Sequence, residues 1–501
     1  MLKTTCQSLL EFSQKTPGKP AIIVNGETIT YSNFTKRINF LASNLEQIEP
    51  ARKRKHVIIC CGDKLSFLTS IFACFSINVV AVPAGTDDPG QLRFLIDHSQ
   101  SALLLFDSTI DPKVIEEISL LNINTVNVEE AKFEEVTLKP IEPSPEDIAL
   151  LFYSSGTTSK ERKGTLLNYQ ILNDTTSYMN KVMNLSSEII EFVVAPLNHA
   201  FGFGRIRAVF DVGGTIVLQN GNFNPAQVIL SLEKHKCNAV SSVSSGFSVM
   251  IDYYKKHLRN YGTQIKWVEI GSLPLSPSHK KELMGILPRA NIFMNYGLTE
   301  AMRSTFLHLN KNCNKINTVG KASPGVEIAI LDDEGIKLPL LEEGEIAVRG
   351  VNLTKGYWKD VGLFKQKTES GFFRTGDIGY LDTDGFLTFL GRKDDAINCG
   401  GHTFYPSEVE HALKSFLDTP NFCISSTLDR KGILGEVPVL CIENNTQCSL
   451  DDIQSLLRNT IDDYKIPRKI IYVDEFPKTY NGKIKRRLLK NKITQSNKDF
   501  I

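Results

Sequence analysis

The chain has 501 residues, enough for two to four domains of ordinary size with a sizeable apolar core. Apolar residues make up 42% and charged residues 23%, as is ordinary for a globular protein. Lysine and arginine number 57 against 56 aspartates and glutamates, and the net charge of +1 disfavours a general nucleic-acid binder, which carries a basic excess.

The N-terminal region begins with an alternation of strand and helix patterns. The first residues lack the long apolar stretch of a secretion signal. A helix is predicted over residues 31–45, and the apolar stretch 65–84 holds enough polar residues to predict a buried helix running into a strand, not a membrane span. Ten scattered cysteines without a CxxC pair predict reduced, buried thiols in a cytoplasmic protein.

Buried parallel strands are predicted along the next part of the chain. The apolar runs that indicate them are 56–60, 101–106, 147–153, 192–195 and 216–218, and a further helix is predicted over 225–235. Strands alternating with helices favour an α/β architecture with parallel sheets.

After about residue 320 the pattern changes to short, turn-rich strands. They are predicted over 327–331, 344–349 and 386–391, followed by a helix over 405–417 and a strongly basic segment from residue 477. Turn residues and charges at 391–396 predict a hinge between a domain of residues 1–390 and a smaller one of residues 397–501.

Residues 154–164 form the most informative segment for chemistry. Hydroxyl side chains, two glycines and three basic residues are concentrated there, directly after a predicted strand. Glycine lets backbone N–H groups approach an anion, hydroxyls donate hydrogen bonds and lysine adds charge, which together describe a loop that wraps a polyphosphate. The spacing differs from a Walker A loop. A polar surface loop without a ligand is the alternative.

Four further segments have ordinary interpretations when each is taken alone. Residues 295–300 place a carboxylate beside a hydroxyl and an aromatic ring, and residues 373–377 are expected to place an aspartate on a tight turn. Residues 391–402 combine an arginine, acidic residues and a glycine pair, and residues 477–483 end in a lysine. In this order and spacing the segments resemble the adenylate-forming superfamily of acyl-CoA synthetases, peptide-synthetase adenylation domains and luciferases. The resemblance extends over residues 10 to 490.

The resemblance implies the fold and the nucleotide site. The implied fold is α/β, with parallel-rich sheets and helices plus a distorted β-barrel subdomain in the large domain, and a small mobile α+β cap. The residues implied to bind ATP or AMP are Ser154, Ser155, Gly156, Thr157, Thr158, Lys163, Gly271, Ser272, Asn295, Tyr296, Gly297, Thr299, Asp377 and Arg392. Tyr296 is implied to stack on adenine, and Asp377 and Arg392 to bind the ribose hydroxyls.

The implied catalytic residues are Lys483, Glu300 and Thr157. Glu300 is implied to hold Mg²⁺, a hard cation that prefers carboxylate and phosphate oxygens. Lys483 is implied to bridge the carboxylate and the phosphate, because a carboxylate that attacks an anionic phosphate needs charge neutralisation and in-line positioning.

The C-terminal residues are implied to act in two poses of the cap. Asp394 matches the hinge about which relatives swing the domain. In the second pose Lys483 withdraws, and Gly400, Gly401 and His402 line the channel of the pantetheine thiol.

The implied phosphate loop departs from its relatives. It is one residue longer, Ser159 stands where relatives have a glycine, and no proline precedes Lys163. Serine tolerates positive φ poorly, so the loop is expected to follow a different path.

The acid substrate is indicated only by the segment 196–202. His199, Phe201 and Gly202 match the acyl pocket of acyl-CoA synthetases, and the absence of an aspartate at Asn198 disfavours an α-amino acid. Three arginines, Arg205, Arg207 and Arg303, are expected near the pocket mouth, where one either binds a second carboxylate or is salt-bridged.

The sequence thus predicts activation of a fatty or other non-amino carboxylic acid by ATP and Mg²⁺, with release of pyrophosphate and transfer to CoA. One alternative is transfer to the phosphopantetheine of an acyl carrier protein acting in trans. A second is a non-catalytic nucleotide-binding protein with a degenerate phosphate loop. No nucleic acid and no membrane span are expected.

Overall fold

The structure is a computed structural model that describes residues 3–48, 56–85, 89–120, 123–129, 136, 138, 140–153, 162–221, 223–271, 275–414, 416–417, 421–429, 433–443, 448–458, 460–478 and 484–496. By its internal contacts the chain divides into two compact units. The first comprises Met1–Leu275, Lys281–Glu327 and Val348–Gly371, and the second Ser276–Lys280, Ile328–Ala347 and Phe372–Ile501. The hinge at residues 391–396 remains a prediction.

The first unit contains a large sheet with parallel strands in its middle. In spatial order the strands are Lys321–Ala322, Thr305–His308, Asn291–Tyr296, Trp267–Gly271, Ala239–Val243, Ile190–Val193, Thr215–Leu218, Pro20–Val24 and Glu27–Thr30. The pairs from Asn291–Tyr296 to Pro20–Val24 are parallel, and those at either edge are antiparallel.

A second sheet of the first unit is also mostly parallel. Its strands in spatial order are Asn124–Asn127, Leu103–Phe106, His56–Cys60, Val80–Pro83, Ile148–Tyr153 and Gly164–Asn168. The last pair alone among these is antiparallel, with Tyr153 opposite Gly164, so the predicted phosphate loop connects two neighbouring strands. Both sheets confirm the predicted α/β class and the buried strands that the apolar runs indicated.

Helices form in both units where the sequence is amphipathic or wholly apolar. The described helices are Thr5–Lys15, Tyr31–Gln47, Lys64–Ser76, Pro89–Ser99, Pro112–Ser119, Tyr169–Met183, Ala200–Asp211, Pro225–Lys234, Ser244–Arg259, Pro277–Ile286, Val361–Lys367, Pro406–Leu413, Leu450–Leu457 and Arg486–Ser496, with 3-10 turns at Cys313–Lys315, Lys393–Asp395 and Asp463–Lys465. Lys64–Ser76 begins at Asp63, whose carboxylate accepts the Ser66 N–H, and is buried nearly all round, as predicted. Within the ranges given above, no helix is long and apolar enough to cross a membrane.

Antiparallel strands dominate the described part of the second unit. One sheet has the order Phe422–Leu428, Glu436–Glu443 and Ile470–Val473, and a hairpin joins Ile397–Cys399 to His402–Phe404. With the helices that follow residue 405, these strands form the predicted α+β arrangement.

The expected distorted β-barrel is not closed in the described residues. The short strands between residues 326 and 392 form an open sheet in the order Val326–Leu331, Gly344–Gly350, Phe373–Leu381 and Leu387–Arg392. Barrel closure requires the first and last strands to pair, and the described edge strands Val326–Leu331 and Leu387–Arg392 are not neighbours in this sheet. The short strands themselves were predicted correctly.

Acid stability is expected to depend on His308, at the end of a strand of the large sheet. Its ring stacks on Phe293 at a centroid distance of 4.5 Å, and its Nε2 is buried with no hydrogen-bond partner among the described residues. Burial, with a smaller contribution from Lys311, lowers the pKa of His308 to about 4. The unfolded chain, with an ordinary histidine pKa, therefore binds a proton first, and stability is lost as the pH falls from about 6.5 to about 4.

Replacing His308 with phenylalanine keeps an aromatic ring on Phe293 and removes this titration. We expect His308→Phe to lose less Tm than the wild type between pH 7 and pH 5, with a difference of about 1–2 °C. The exposed His257 offers a matched control, and His257→Gln is expected to follow the wild type. Parallel pH profiles for wild type and His308→Phe would contradict the assignment.

Candidate active site

Several predicted site residues lie outside the described part of the chain. They are Ser154, Ser155, Gly156, Thr157, Thr158, Ser272 and Lys483, and the departing residue Ser159 is also among them. Their roles remain predictions from the sequence.

Lys163, at the end of the predicted phosphate loop, contacts the carboxylate of Asp360 and the ring of Tyr357. Its Nζ lies 3.2 Å from Asp360 Oδ2 and 5.8 Å from the centroid of the Tyr357 ring. Asp360 also begins the helix Val361–Lys367, since its carboxylate accepts the Leu363 N–H at 3.2 Å. Because both partners of the ion pair are partly exposed, the pair is screened and weak.

Lys163, Asp360 and Tyr357 form the Lys163 cluster, and Glu300, the predicted magnesium ligand, is connected to it. The Tyr357 hydroxyl donates to Glu300 Oε1 at 2.9 Å, and the Glu300 carbonyl accepts the Thr354 N–H at 2.7 Å. Tyr357 is thus buried between the cation of Lys163 and the carboxylate of Glu300. The structure brings together two predicted residues, one basic and one acidic, through an aromatic residue that the motifs did not indicate.

The cluster fits a magnesium ion that arrives with polyphosphate. No group of three or more histidine, cysteine, aspartate or glutamate side chains in the described residues forms a complete metal site. Glu300 keeps its second carboxylate oxygen without a hydrogen bond to any described residue. Mg²⁺ is held in proteins by one or two carboxylates plus phosphates and waters, so a single glutamate together with the phosphates of a nucleotide is a suitable donor set.

The predicted adenine segment follows the strand Asn291–Tyr296 at its carboxyl end. Asn295 uses its amide to bond Glu269 Oε1 at 2.7 Å and the Ile270 carbonyl at 3.3 Å, so its side chain holds the segment to the neighbouring strand. A Cβ at Gly297 would lie 2.4 Å from the backbone nitrogen of Arg303, which explains the glycine. Tyr296 is buried.

Thr299 is half-buried on the turn between Leu298 and Ala301, whose backbones hydrogen-bond to each other. The turn presents the hydroxyl of Thr299 one residue before the carboxylate of Glu300. The hydroxyl and the carboxylate are thus neighbours as the motif indicates, and the binding of nucleotide by Thr299 remains a prediction.

The predicted acyl-pocket residues lie where a strand end meets the helix Ala200–Asp211. His199 is the residue before this helix, and its side chain makes no capping bond. A Cβ at Gly202 would lie 2.1 Å from the Pro196 carbonyl oxygen, and one at Gly271 would lie 2.6 Å from the Phe201 ring. Both glycines therefore permit close packing, and Phe201 lies directly against Gly271, one of the predicted nucleotide-binding residues.

The three arginines expected at a pocket mouth are buried instead. Arg205 and Arg303 form ion pairs with Glu191 and Glu269, so neither guanidinium is placed to bind a second carboxylate of a substrate. Burial alone would lower the pKa of Arg205, but the two glutamates hold it above its ordinary value. The salt-bridged alternative therefore applies to both.

Arg207 is buried without a carboxylate partner among the described residues. It donates to the Leu172 carbonyl and to Thr176 Oγ1, and it lies 5.7 Å from the centroid of the Phe203 ring. Burial and the nearby charge of Arg303 lower the pKa of Arg207 to about 9.

In the second unit, Asp377 and Arg392 form an ion pair, and their predicted binding of the ribose hydroxyls remains a prediction. They are opposite each other in adjacent antiparallel strands, and Arg392 Nη1 lies 2.7 Å from Asp377 Oδ1. Asp377 is buried, with 2% of the residue exposed, whereas nearly half of the Arg392 side chain is exposed. The tight turn expected over 373–377 is not present, because Gly376 and Asp377 both lie inside the strand Phe373–Leu381. Gly376 has a φ of +76° in this strand, a value that favours glycine.

The glycine pair forms the turn of the hairpin between Ile397–Cys399 and His402–Phe404. Gly400 and Gly401 have φ of +61° and +84°, the values of a type I′ turn, in which both central residues require positive φ. The His402 ring stacks on Tyr464 at 4.6 Å, a contact that the sequence did not indicate. Asp394, the predicted hinge residue, is exposed on the 3-10 turn Lys393–Asp395.

Comparisons with known proteins identify a family and similar enzymes. A family model described as "AMP-binding enzyme" matches residues 9–358. The chain is similar to 2-succinylbenzoate–CoA ligase of Bacillus subtilis (strain 168), with 28% identity over 493 residues that cover 96% of this chain and 97% of that protein. It is 30% identical over 389 residues to oxalate–CoA ligase of Saccharomyces cerevisiae, covering 76% and 68% of the two chains.

Solved structures of one such enzyme share the fold. The o-succinylbenzoate CoA synthetase of Bacillus subtilis in complex with its acyl-adenylate intermediate matches with a TM-score of 0.86 and 25% identity, over 97% of this chain and 98% of that chain. The same enzyme in complex with ATP and magnesium ion matches with a TM-score of 0.85 and 25% identity, over 96% and 99%.

Proposed function

Because the chain belongs to the AMP-binding enzyme family, we propose that it is an AMP-forming ligase that joins a carboxylic acid to coenzyme A. The observation that supports the proposal is the link from Lys163 through Tyr357 to Glu300, which joins a cation to a carboxylate of the kind that Mg²⁺ prefers. ATP, Mg²⁺ and CoA are the co-substrates and the metal that this activity requires.

The proposed reaction has two steps. In the first, an oxygen of the acid's carboxylate attacks the α-phosphorus of ATP, the bond to the pyrophosphate oxygen breaks, and acyl-AMP forms. Lys163 and Lys483 neutralise phosphate charge, and Glu300 binds Mg²⁺, which supplies further charge neutralisation when present. In the second, the thiol of CoA loses its proton and attacks the acyl carbonyl, and AMP leaves.

The acid is proposed to be a non-amino carboxylic acid of the kind that the relatives activate. Their names give 2-succinylbenzoate and oxalate, so the expectation of a fatty acid finds no support among them. Both are dicarboxylic acids, and 2-succinylbenzoate is the first candidate. CoA is the proposed acceptor because these relatives are CoA ligases, and no observation favours a carrier protein. A cytoplasmic location, which the free cysteines favour, is part of this proposal.

The test is an acid panel with ATP, Mg²⁺ and CoA. It contains 2-succinylbenzoate, oxalate, fatty acids of several lengths and an α-amino acid, with pyrophosphate release and thioester formation measured separately. We expect both products with 2-succinylbenzoate or another non-amino acid, and thioester only when CoA is present.

The other outcomes separate the alternatives. Pyrophosphate release that yields thioester only on a phosphopantetheinylated carrier protein would favour the carrier ligase. ATP binding without turnover of any acid would overturn the enzyme proposal and favour a non-catalytic nucleotide-binding protein.

A further inference from the structure

A network of buried charges lies beneath the predicted site in the first unit. Glu269 is at its centre. The Oε1 atom of Glu269 accepts hydrogen bonds from Arg303 Nε at 2.8 Å and from the Asn295 amide at 2.7 Å. The Oε2 atom lies 3.0 Å from Arg205 Nη1, and this ion pair lacks the alignment of a hydrogen bond. Arg205 also forms a bidentate pair with Glu191, at 2.9 and 2.5 Å. No more than 3% of any of these four charged residues is exposed.

Arg303 extends this network to the predicted acyl-pocket segment. Its Nη2 donates to the Phe201 carbonyl at 2.9 Å and its Nη1 to the Ala200 carbonyl at 3.4 Å. Its guanidinium also lies 5.1 Å from the centroid of the Phe201 ring. Arg303 itself has a φ of +47°, uncommon for a residue with a side chain, so the local backbone adopts a costly conformation that holds the guanidinium there.

The two segments that Glu269 and Arg303 join are those predicted to bind adenine and acid. Asn295 begins the adenine segment, and Phe201 packs its ring against Gly271 so closely that a Cβ there would clash. Buried ion pairs are often replaceable by apolar residues without loss of stability, so stability alone is a weak reason for this arrangement. A rigid connection between two substrate segments is a stronger one.

We propose that Glu269 and Arg303 are positioning residues that fix the acyl-pocket segment 199–202 against the adenine segment 295–300. This inference rests on the proposed function. Each substrate binds mainly to its own segment, whereas the attack of the carboxylate on the α-phosphate depends on the relative placement of both. Disturbing the connection therefore lowers kcat more than it raises KM, since small misplacements of reacting atoms slow the chemical step strongly.

Arg303→Lys tests the proposal and Arg205→Lys is its matched control. Lysine keeps the buried positive charge in both variants, but it cannot bond Glu269 and the Phe201 carbonyl together as the guanidinium does. Arg205 is equally buried and also forms an ion pair with Glu269, but its side chain donates to Glu191 and Met183 and, among the described residues, not to the backbone of residues 199–202. We expect Arg303→Lys to lower kcat for acyl-AMP formation ~10- to 100-fold with KM for ATP and acid changed less than about threefold.

Arg205→Lys is expected to lower the Tm to a similar extent while keeping kcat within about twofold of the wild type at 25 °C. The charge-balanced double variant Glu269→Gln with Arg303→Gln provides a second test if Arg303→Lys does not fold, and the same loss of kcat is expected. Equal losses of kcat in Arg303→Lys and Arg205→Lys, or unchanged kcat in both Arg303 variants, would overturn the proposal. Failure of the wild type to turn over any acid would instead overturn the proposed function.

Discussion

Replacing Lys483 with alanine is expected to abolish acyl-adenylate formation while the variant still converts supplied acyl-AMP and CoA to thioester. In the first step two anions must approach, and the loss of an ammonium group that bridges them is expected to cost ~10²- to 10³-fold in rate. In the second step the attacking group is a thiol, and the lysine of the cap is withdrawn in the two-pose hypothesis. Pyrophosphate release measures the first step, and thioester formation from synthetic acyl-AMP measures the second.

Lys478→Ala is the control for the basic C-terminal segment. Lys478 is an exposed lysine near Lys483 in sequence, paired with Glu443 at 3.1 Å, and its loss is expected to leave both steps unchanged. If Lys483→Ala slows both steps equally, the two-pose hypothesis is wrong. If it slows neither, Lys483 is not the bridging residue.

The fold could be predicted from the sequence because its elements are locally encoded. Apolar runs at 56–60 and 147–153 correspond to the strands His56–Cys60 and Ile148–Tyr153, and the switch to short strands after residue 320 is reproduced. The closed barrel was the exception: the resemblance implied it, whereas closure depends on pairing between distant strands that no local pattern contains. The open order of the four strands is a property of the tertiary structure.

The candidate site was predictable where a motif carries its own chemistry. Asp377 and Arg392 meet because a hairpin pairs them, and the motifs lie on the two strands of that hairpin. Tyr357 and Asp360 were missed, since they reach Lys163 from a segment almost two hundred positions away in the chain. Glu269 did leave a signal: a glutamate inside the apolar strand Trp267–Gly271 requires a buried partner. Identifying Arg303 as that partner required the structure.

Glu300→Gln is expected to lower kcat/KM for ATP about 100-fold and to raise the Mg²⁺ concentration needed for half-maximal activity. The amide keeps the size of the side chain and its acceptor for the Tyr357 hydroxyl, but it removes the negative charge that a hard cation prefers. Pyrophosphate release measured at saturating acid, as Mg²⁺ is varied, checks both effects.

Two companion variants determine whether this loss reflects the metal or the cluster around it. Tyr357→Phe removes the hydroxyl that bonds Glu300 and keeps the ring near Lys163, and a loss of about tenfold is expected from one hydrogen bond to a charged group. Glu327→Gln, which alters an exposed ion pair with Arg349, should leave activity unchanged. If Glu300→Gln reduces the rate but retains the wild-type dependence on Mg²⁺, the carboxylate orients the Lys163 cluster and does not hold the ion. If the Mg²⁺ dependence shifts in Glu300→Gln and stays unchanged in Tyr357→Phe, Glu300 holds the ion. Tyr357 then has the role of orienting the Glu300 carboxylate.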